Sequence, residues 1–429
     1  MTSGPRPPRR ALAAGALLAL AGCDAPVGDQ RASYVEQAVA LAPEIERATG
    51  LRFTTPPKVE VRTAEQVRAF VQREVDEPEA RAELEGQQAA YRALGMIPDT
   101  LDLRALLVRV LEEQVVGYYD PRSKTLYVVQ GADSAAAAVT LRHELVHALQ
   151  DQHRNLDSLL RVRGQADRTA AAHAALEGQA TWVQLGGGGD LAMRMPGAWE
   201  RTREAIRGNM DRTPVLQTAP FVVRETLLFP YLSGAELARR VTGGGHADSV
   251  LLRLPASTEQ VLHGDRYADP GKAPGAPVAV TLPAPRLGEA RAENTLGEFE
   301  TRLVLFQHLQ DLGTAAQASG GWGGDRWQVV RTPAGEAFVW VTAWDGGPDA
   351  AEFFDAMTQV IPKRHPSAQL APSKDATARA YTVPGAPGGA RALQLRAAEV
   401  GGRPVVVYVD APAGAGADLV DLARVTLAP

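Results

Sequence analysis

One uninterrupted stretch decides how this 429-residue chain is interpreted: Thr140-Leu141-Arg142-His143-Glu144-Leu145-Val146-His147-Ala148-Leu149. It lies inside a helical pattern that is predicted from residue 134 to about residue 152. Residues four apart on a helix differ by about 40° in azimuth and lie about 6 Å apart, so the two histidines project from one face. Two imidazoles so placed can bind one zinc ion, while Glu144 can act as general base on water at the metal. The alternative, two surface histidines on a solvated helix, is disfavoured because the positions around the motif are uncharged except Arg142.

The motif resembles that of the zincin metallopeptidases, and a zinc ion held in this way needs a third protein ligand. Glu177, 30 residues after His147, is the expected ligand. It lies in a second predicted helix, 168–185, whose Ala-, Leu- and Trp-rich composition would make an unpaired carboxylate costly. A glutamate on a second antiparallel helix is the gluzincin arrangement, and the segment Glu177-Gly178-Gln179-Ala180 looks like that branch.

His153 is the competing third ligand, because it completes the histidine spacing of the metzincin branch. That branch breaks its helix at a glycine, and this chain has Gln150 at the corresponding position. If the helix continues, His153 lies about 120° from His147 in azimuth and about 9 Å along the axis, so the two cannot share a metal. His173 is a further candidate for the third ligand.

A β-hairpin is predicted immediately before the metal helix. Residues 115–119 and 125–129 are rich in Val and Tyr and flank the turn Asp120-Pro121-Arg122-Ser123. In zincins an edge strand above the metal pairs with an extended substrate. That edge is either 116–119 or 126–129, and both strands would equally cover the helix as part of a small sheet.

The remaining patterns divide the chain at a proline-rich segment, 269–285, which holds five prolines and predicts a linker. Before it, helical spacing predicts helices at 34–49, 63–77, 79–94, 100–114, 198–209, 220–241 and 258–263, with a short strand at 59–61. After it, we expect helices at 295–316 and 349–361, a last helix from Ala417, and strands at 327–331, 337–344, 377–382, 391–397 and 404–409. Residues 321–326 predict a tight turn, because Arg326 occupies the last glycine position of a G-x-G-x-x-G nucleotide motif.

The N-terminus predicts export. Three arginines and no acidic residue precede an apolar stretch, 11–21, that is too short to span a membrane but suits a signal-peptide core. It ends in Leu20-Ala21-Gly22-Cys23, which resembles the bacterial lipobox, whose cysteine becomes the lipidated first residue. Residues 1–22 are therefore expected to be a lipoprotein signal peptide and 23–33 a tether. The chain would be an exported bacterial lipoprotein of the cell envelope, held to a membrane through Cys23.

A broader resemblance links the chain to a group of bacterial lipoproteins that are regarded as gluzincin-like. It rests on residues 117–121, 143–152, 177–181, 229–231 with Gly234, 257–263 and 321–326. The resemblance implies an α+β fold with a mainly helical, zincin-like catalytic domain and a small β-sheet over 34–285, its metal helices at about 134–185. A smaller α+β lobe, 286–429, would follow.

The resemblance also implies groups that assist the metal. Zincins add a Tyr or His donor for the oxyanion, and Tyr231 and His263 are the candidates. Gluzincins of the N-E-x-x-x-D form carry an aspartate four residues after the third ligand to orient the first histidine. Thr181 stands at that position here, so the orienting partner is open; Asp151, four residues after His147, is expected to supply part of the hydrogen-bonding around the ligands.

Composition bounds the function. Hydrophobic residues make up 45% and charged residues 22%, which is typical of a globular chain, and the net charge of −5 gives no support to a nucleic-acid role. A single cysteine excludes an intrachain disulfide and any multi-cysteine metal site. The expected function is a membrane-anchored zinc metallopeptidase with a peptide or protein substrate. A non-catalytic zinc-binding lipoprotein and a zinc amidase for cell-wall peptides stay open, although the intact Glu144 argues against the first.

Overall fold

The computed structural model describes residues 27–187, 193, 195–210, 213–242, 248–269, 271–386 and 388–429. The predicted signal peptide, 1–22, and Cys23 lie outside these residues. Over the described part of the chain, no helix is both long and apolar enough to cross a membrane. The chain is mixed α+β, which confirms the predicted class, with helices in its first part and a seven-stranded sheet in its last part.

Helices dominate the first part of the chain. In order, they and the intervening strands are α1 (Val27–Thr49), β1 (Lys58–Arg62), α2 (Ala64–Val75), α3 (Pro78–Ala93), α4 (Leu103–Gln114), β2 (Gly117–Asp120), β3 (Thr125–Val129), α5 (Ser134–His153), α6 (Leu156–Leu159) and α7 (Ala166–Gln184). There follow α8 (Ala198–Met210), α9 (Pro214–Gln217), α10 (Phe221–Phe229), a π-helical turn (Pro230–Gly234), α11 (Ala235–Thr242), α12 (Asp248–Leu252), α13 (Thr258–Leu262) and α14 (Gly264–Ala268).

The small sheet settles which strand of the hairpin is the edge. Its order is β1-β3-β2, with β3 parallel to β1 and antiparallel to β2. Residues 126–129 therefore lie in the centre, and β2 is an edge strand that packs beside α5. Of the two alternatives left open by the sequence, only 116–119 fits.

Strands dominate the last part of the chain. The elements are β4 (Ala279–Thr281), β5 (Glu289–Asn294), α15 (Gly297–Leu309), α16 (Leu312–Ser319), β6 (Trp322–Thr332), β7 (Gly335–Trp344), α17 (Gly347–Arg364), β8 (Gln369–Leu370), β9 (Ala378–Val383), β10 (Arg391–Val400), β11 (Arg403–Pro412) and β12 (Thr426–Ala428). The large sheet is antiparallel throughout, in the order β5-β6-β7-β11-β10-β9-β8. A separate pair joins β4 to β12.

The main hydrophobic core crosses the predicted linker. Tyr91 and Leu94 at the end of α3 belong to the same buried cluster as Trp327 and Trp340 of the large sheet and Phe353 of α17. Helices from the first part of the chain therefore cover one face of the last part's sheet. The division into domains at residue 285 stays a prediction.

Two helix predictions are wrong for local reasons. The helix predicted at 295–316 breaks at Gln310, which adopts a left-handed conformation with φ of 56°, and the Asp311 side chain then caps α16 by accepting from the Thr314 amide. The helix predicted from Ala417 is replaced by a 3₁₀ turn, Leu422–Arg424, and by β12. β12 forms because it pairs with β4, a strand that lies inside the segment predicted as a linker.

Two other segments differ from their predictions. Residues 321–326 do not form a tight turn, since β6 begins at Trp322; a register shift between Trp322 and Gly324 accommodates Gly324 at φ of 153°. Residues 27–33, predicted as part of a tether, belong to the first turns of α1. The long helix predicted at 220–241 is present as α10, the π-helical turn and α11 in succession.

Two glycines allow α7 and the π-helical turn to cross at backbone contact. A Cβ on Gly178 would overlap backbone atoms of Gly234, and a Cβ on Gly234 would overlap the carbonyl group of Ala174. Glycine is therefore required at both positions for the two segments to approach so closely. This crossing sets Tyr231, in the π-helical turn, against the face of α7 that carries Glu177.

The crossing predicts a large effect of adding one methyl group. Gly234→Ala should destabilise the fold by about 1–3 kcal/mol or more, because the new Cβ has no space. Gly208→Ala is the matched control: it lies in α8, and a Cβ there meets nothing within 4 Å. That control should be neutral or stabilising by up to about 1 kcal/mol. Urea unfolding of both variants measures the difference, and equal unfolding midpoints would contradict the proposed crossing.

Candidate metal centre

α5 and α7 pack together and bring three predicted metal ligands to one point. His143 Nε2 lies 3.0 Å from Glu177 Oε2 and 3.2 Å from His147 Nε2. His147 Nε2 lies 3.5 Å from Glu177 Oε1. Their ligand atoms all lie within 4.8 Å of one another, and within the described residues this is the only such group of three. All three residues are buried, with exposures of 5%, 3% and 1% for His143, His147 and Glu177.

The donor set of this group fits a zinc ion. Two imidazole nitrogens and one carboxylate oxygen are a ligand set of catalytic zinc sites, in which a fourth position stays open. One oxygen of the neighbouring Glu144, Oε1, is buried and has no hydrogen-bond partner. A buried carboxylate oxygen without a partner is costly. A cation with its bound water beside Glu144 would supply the missing partner and relieve that cost.

The pKa shifts of Glu177 and His147 also favour a positive charge beside the Glu177 carboxylate. Burial alone would raise the pKa of the Glu177 carboxyl, but His147 together with hydrogen bonds from His143, His147 and His173 holds this pKa well below its usual range. Burial opposes a proton on His147, yet Glu177 outweighs it and raises the pKa of His147 to about 9. A divalent cation between these residues would supply the charge that a proton on His147 otherwise provides.

The edge strand β2 holds the carboxylate of Glu144, the candidate general base, by a hydrogen bond. The Tyr119 amide donates to Glu144 Oε2 at 2.8 Å, while the Tyr119 hydroxyl donates to Asp151 Oδ2 at 2.7 Å. The strand is thus attached to α5 at two points seven residues apart. Burial chiefly, with a further contribution from the charge of Glu177, raises the pKa of Glu144 to about 8. Glu144 is therefore a buried carboxyl that readily holds a proton.

Two glutamines orient the histidines, and sequence reasoning missed both. Gln184 Oε1 lies 2.9 Å from His143 Nδ1, and Gln150 Oε1 lies 2.8 Å from His147 Nδ1. Gln150 also donates to the Leu176 carbonyl and to Gln179 Oε1. The only sequence signal was position, since Gln150 follows His147 by three residues and Gln184 follows Glu177 by seven.

Asp151 and Thr181 form no hydrogen bond to the histidines of the group. Asp151 does not reach a histidine of the group: it accepts from Tyr119, from Lys124 Nζ at 2.7 Å and from the Leu156 amide at 3.1 Å. The Thr181 hydroxyl is buried without a hydrogen-bond partner. Asp151 thus contacts Tyr119, the residue whose amide holds Glu144, and the side-chain amide of Gln184 contacts the first histidine, His143.

The two oxyanion candidates lie in different places. Tyr231 is at the group: its ring centroid is 6.3 Å from that of His143, and its hydroxyl hydrogen-bonds Glu177. Burial raises the pKa of Tyr231 well above 10, so the hydroxyl stays protonated. His263 belongs to another cluster, where its Nε2 lies 3.0 Å from the buried Glu298, which Arg302 also contacts. The structure therefore does not bring His263 to the metal candidates.

The other histidines near the motif are also accounted for. α5 continues to residue 153, as the helix argument required, and His153 Nε2 lies 2.8 Å from the Arg52 carbonyl in an exposed position. His153 is therefore not a ligand candidate. His173 lies one turn before Glu177 on α7, with Nε2 3.2 Å from Glu177 Oε1 and 29% of its side chain exposed. Its Nε2 atom, which contacts the group, is itself buried.

Comparison with known proteins yields one match. A family model described as a domain of unknown function, DUF8575, matches residues 285–421. No curated protein and no solved structure matches the chain. The matched span contains the large sheet from β5 to β11 and leaves the candidate metal centre outside it.

The ligand assignment predicts which substitution removes the metal. Glu177→Ala should abolish stoichiometric zinc binding, because one of three ligands is lost. His153→Ala, on the same pair of helices, should retain zinc with unchanged affinity. Competition with a chromophoric chelator measures both constants. If the His153 variant loses zinc while the Glu177 variant keeps it, the assignment is wrong.

The orienting role of glutamine predicts a smaller effect. Gln184→Ala should weaken zinc binding by about 10–100-fold, because the His143 ring loses the partner that fixes its tautomer and direction. Gln317→Ala is the control, since the Gln317 side chain donates to Glu352 on an exposed surface. Equal zinc affinities of the two variants would show that Gln184 does not orient the ligand.

Proposed function

We propose that this protein is a zincin-type zinc metallopeptidase that hydrolyses peptide bonds. The observation that carries the proposal is the environment of the Glu144 carboxylate. One of its carboxylate oxygens is held by the Tyr119 amide, and the other is buried and unpartnered beside His143, His147 and Glu177. A purely structural zinc site has four protein ligands and no use for such a carboxylate.

Each residue of the group has a role in this chemistry. His143, His147 and Glu177 would hold the metal, and bound zinc supplies a Lewis acid that polarises a scissile carbonyl and lowers the pKa of water. Glu144 takes the proton of the attacking water through Oε1 and passes it to the leaving amine. The Tyr119 amide keeps Oε2 fixed during both transfers, so that the same oxygen faces the reaction.

Tyr231 is the proposed donor to the oxyanion. Its hydroxyl already lies at the metal candidates, and its raised pKa keeps the proton that such a donor needs. All four residues of the edge strand β2 are buried. Pairing of an extended substrate with this strand stays a prediction.

We further propose that the enzyme is exported and anchored to a membrane through Cys23. The support is the order of features in the sequence: arginines, an apolar core and a lipobox-like segment that ends in the chain's single cysteine. α1 begins at Val27, four residues after this cysteine, so the folded part would lie close to the anchor.

Glu144→Gln tests the mechanism most specifically among the substitutions. The amide keeps the shape and the acceptor for the Tyr119 amide but cannot take a proton. Zinc content should equal that of the wild type, while turnover falls by at least about 10²–10⁴-fold. The substrates are a library that contains peptides with protein sequences and also cell-wall peptides. An amidase specificity for cell-wall peptides would then be detected. If the variant cleaves as fast as the wild type, Glu144 is not the base; if the wild type cleaves nothing, the protein is not a peptidase.

Cys23→Ala tests the anchor independently of catalysis. The substituted chain should remain unprocessed at this site or appear in the soluble fraction, because no thiol is left to carry the lipid. Detergent phase partitioning and the mass of the mature chain report the result. Normal processing with unchanged membrane retention would refute the lipoprotein assignment and leave the zinc proposal untouched.

A further inference from the structure

A cavity lies between the end of α3 and the large sheet, and none of the metal candidates lines it. Its volume is about 570 Å³. One wall comes from α3 and the loop that follows it, and the other comes from β6, β7, β10 and β11 with the last turn of α17. The cavity thus joins segments that are far apart in the sequence, and the proposed peptidase chemistry does not use it.

Two arginines in this cavity share a single carboxylate. Arg364 Nη1 lies 3.1 Å from Asp410 Oδ2, and Arg391 forms an ion pair with Asp410 Oδ1. Asp410 is fully buried, and only 13% and 20% of the Arg364 and Arg391 side chains are exposed. Within the described residues, the other hydrogen-bond partners of these guanidinium groups are neutral, namely the Tyr408 hydroxyl and the Glu336 and Asp410 carbonyls. Two positive charges therefore share one buried negative charge in a place where hydration is limited, which is costly.

Two more cations line the same cavity. Arg92 donates from Nη2 to the Leu101 carbonyl at 2.7 Å, but its Nε is buried without a partner. Lys363 Nζ donates to the Leu309 carbonyl at a long distance, 3.4 Å, and its charge also helps to lower the pKa of the exposed Asp311. Of the acidic residues at the walls, Glu336 is engaged by Arg291 at 3.2 Å, and Asp99 lies at the exposed rim.

The pKa of His365 is sensitive to the charges that line this cavity. It lines the cavity beside Arg364, and its pKa is lowered to about 4. Burial is the largest cause, and the charge of Arg364 is the next, with Arg391 and His308 acting in the same direction. Asp410 acts in the opposite direction, but the charges of Arg364 and Arg391 together disfavour a proton on His365, and these same charges would attract an anion.

Apolar side chains form part of the remaining lining. Phe338 and Val329, paired across β6 and β7, and Ile97 from the loop contribute apolar surface. Gly95 has φ of +68°, and a Cβ there would lie 2.9 Å from Arg364 Nε and 3.0 Å from His308 Cε1. The loop can therefore approach Arg364 only because residue 95 has no side chain.

We propose that this cavity binds a small organic anion, with its carboxylate or phosphate group against Arg364 and Arg391 and its apolar part against Phe338 and Val329. Lys363 and Arg92 add charge at the rim. Two cationic guanidinium groups recognise planar carboxylates and phosphates through paired hydrogen bonds. Because the walls belong to both parts of the chain, a bound anion holds α3 to the large sheet.

Calorimetric titration of the full chain tests the site with four probes: 3-phenylpropanoate, phenyl phosphate, the neutral 3-phenylpropanamide and inorganic phosphate. At least one aromatic anion should bind with one-to-one stoichiometry and raise the melting temperature. The neutral amide should bind at least about tenfold more weakly, because it lacks the charge. Inorganic phosphate should also bind more weakly, because it lacks the apolar part.

Two variants and a control locate the binding. Arg391→Gln and the exposed Lys363→Gln should each weaken the aromatic anion by about fivefold or more, whereas Lys374→Gln, exposed and outside the cavity, should leave the affinity unchanged. Lys363→Gln keeps the test decisive if loss of the Arg391–Asp410 pair prevents folding. Binding should persist after metal is removed with a chelator, which separates this site from the proposed zinc centre. Absence of binding up to about 10 mM, equal binding of the amide, or loss of binding on chelation would overturn the proposal.

Discussion

The burial of the Glu177 carboxylate is the constraint on which the rest of the site depends. A carboxylate that is 1% exposed inside a helix pair is tolerated only if cations and donors surround it. Three histidines and a tyrosine converge on it: His143, His147, His173 and Tyr231. Three elements of the fold, α5, α7 and the π-helical turn, thereby direct side chains at one point. A divalent cation bound there would balance the charge of the buried carboxylate.

The segments that looked like motifs in the sequence largely serve to hold this helix pair in place. Gly178 and Gly234 let α7 meet the π-helical turn, and Thr258 donates to Asp167 at the start of α7. Asp325, in the segment 321–326, accepts from the Leu296 and Gly297 amides where α15 begins. The same elements therefore connect the metal helices to the large sheet. His263, which ends the helix that Thr258 begins and pairs with Glu298, is part of this structural connection.

Features with a local cause could be predicted from the sequence, and features with a distant cause could not. Helical periodicity gave α5 and the common face of His143 and His147, and the apolar composition of α7 correctly marked Glu177 as buried. Gln150 and Gln184 carry no such signal, because their roles arise only when α5 and α7 meet. The strand β12 was missed for a similar reason, since it depends on pairing with β4 across about 150 residues of chain.

X-ray absorption at the zinc edge of the purified, zinc-loaded protein tests the central claim most directly. The account predicts one zinc per chain, with only nitrogen and oxygen ligands at about 2.0–2.1 Å and outer-shell scattering from two imidazoles. In Glu177→Ala the stoichiometric signal should disappear. Scattering from three or more imidazoles would contradict the assigned ligand set, because another histidine, such as His173, would then also bind the zinc. Failure of the wild type to hold any zinc would contradict the metal centre itself.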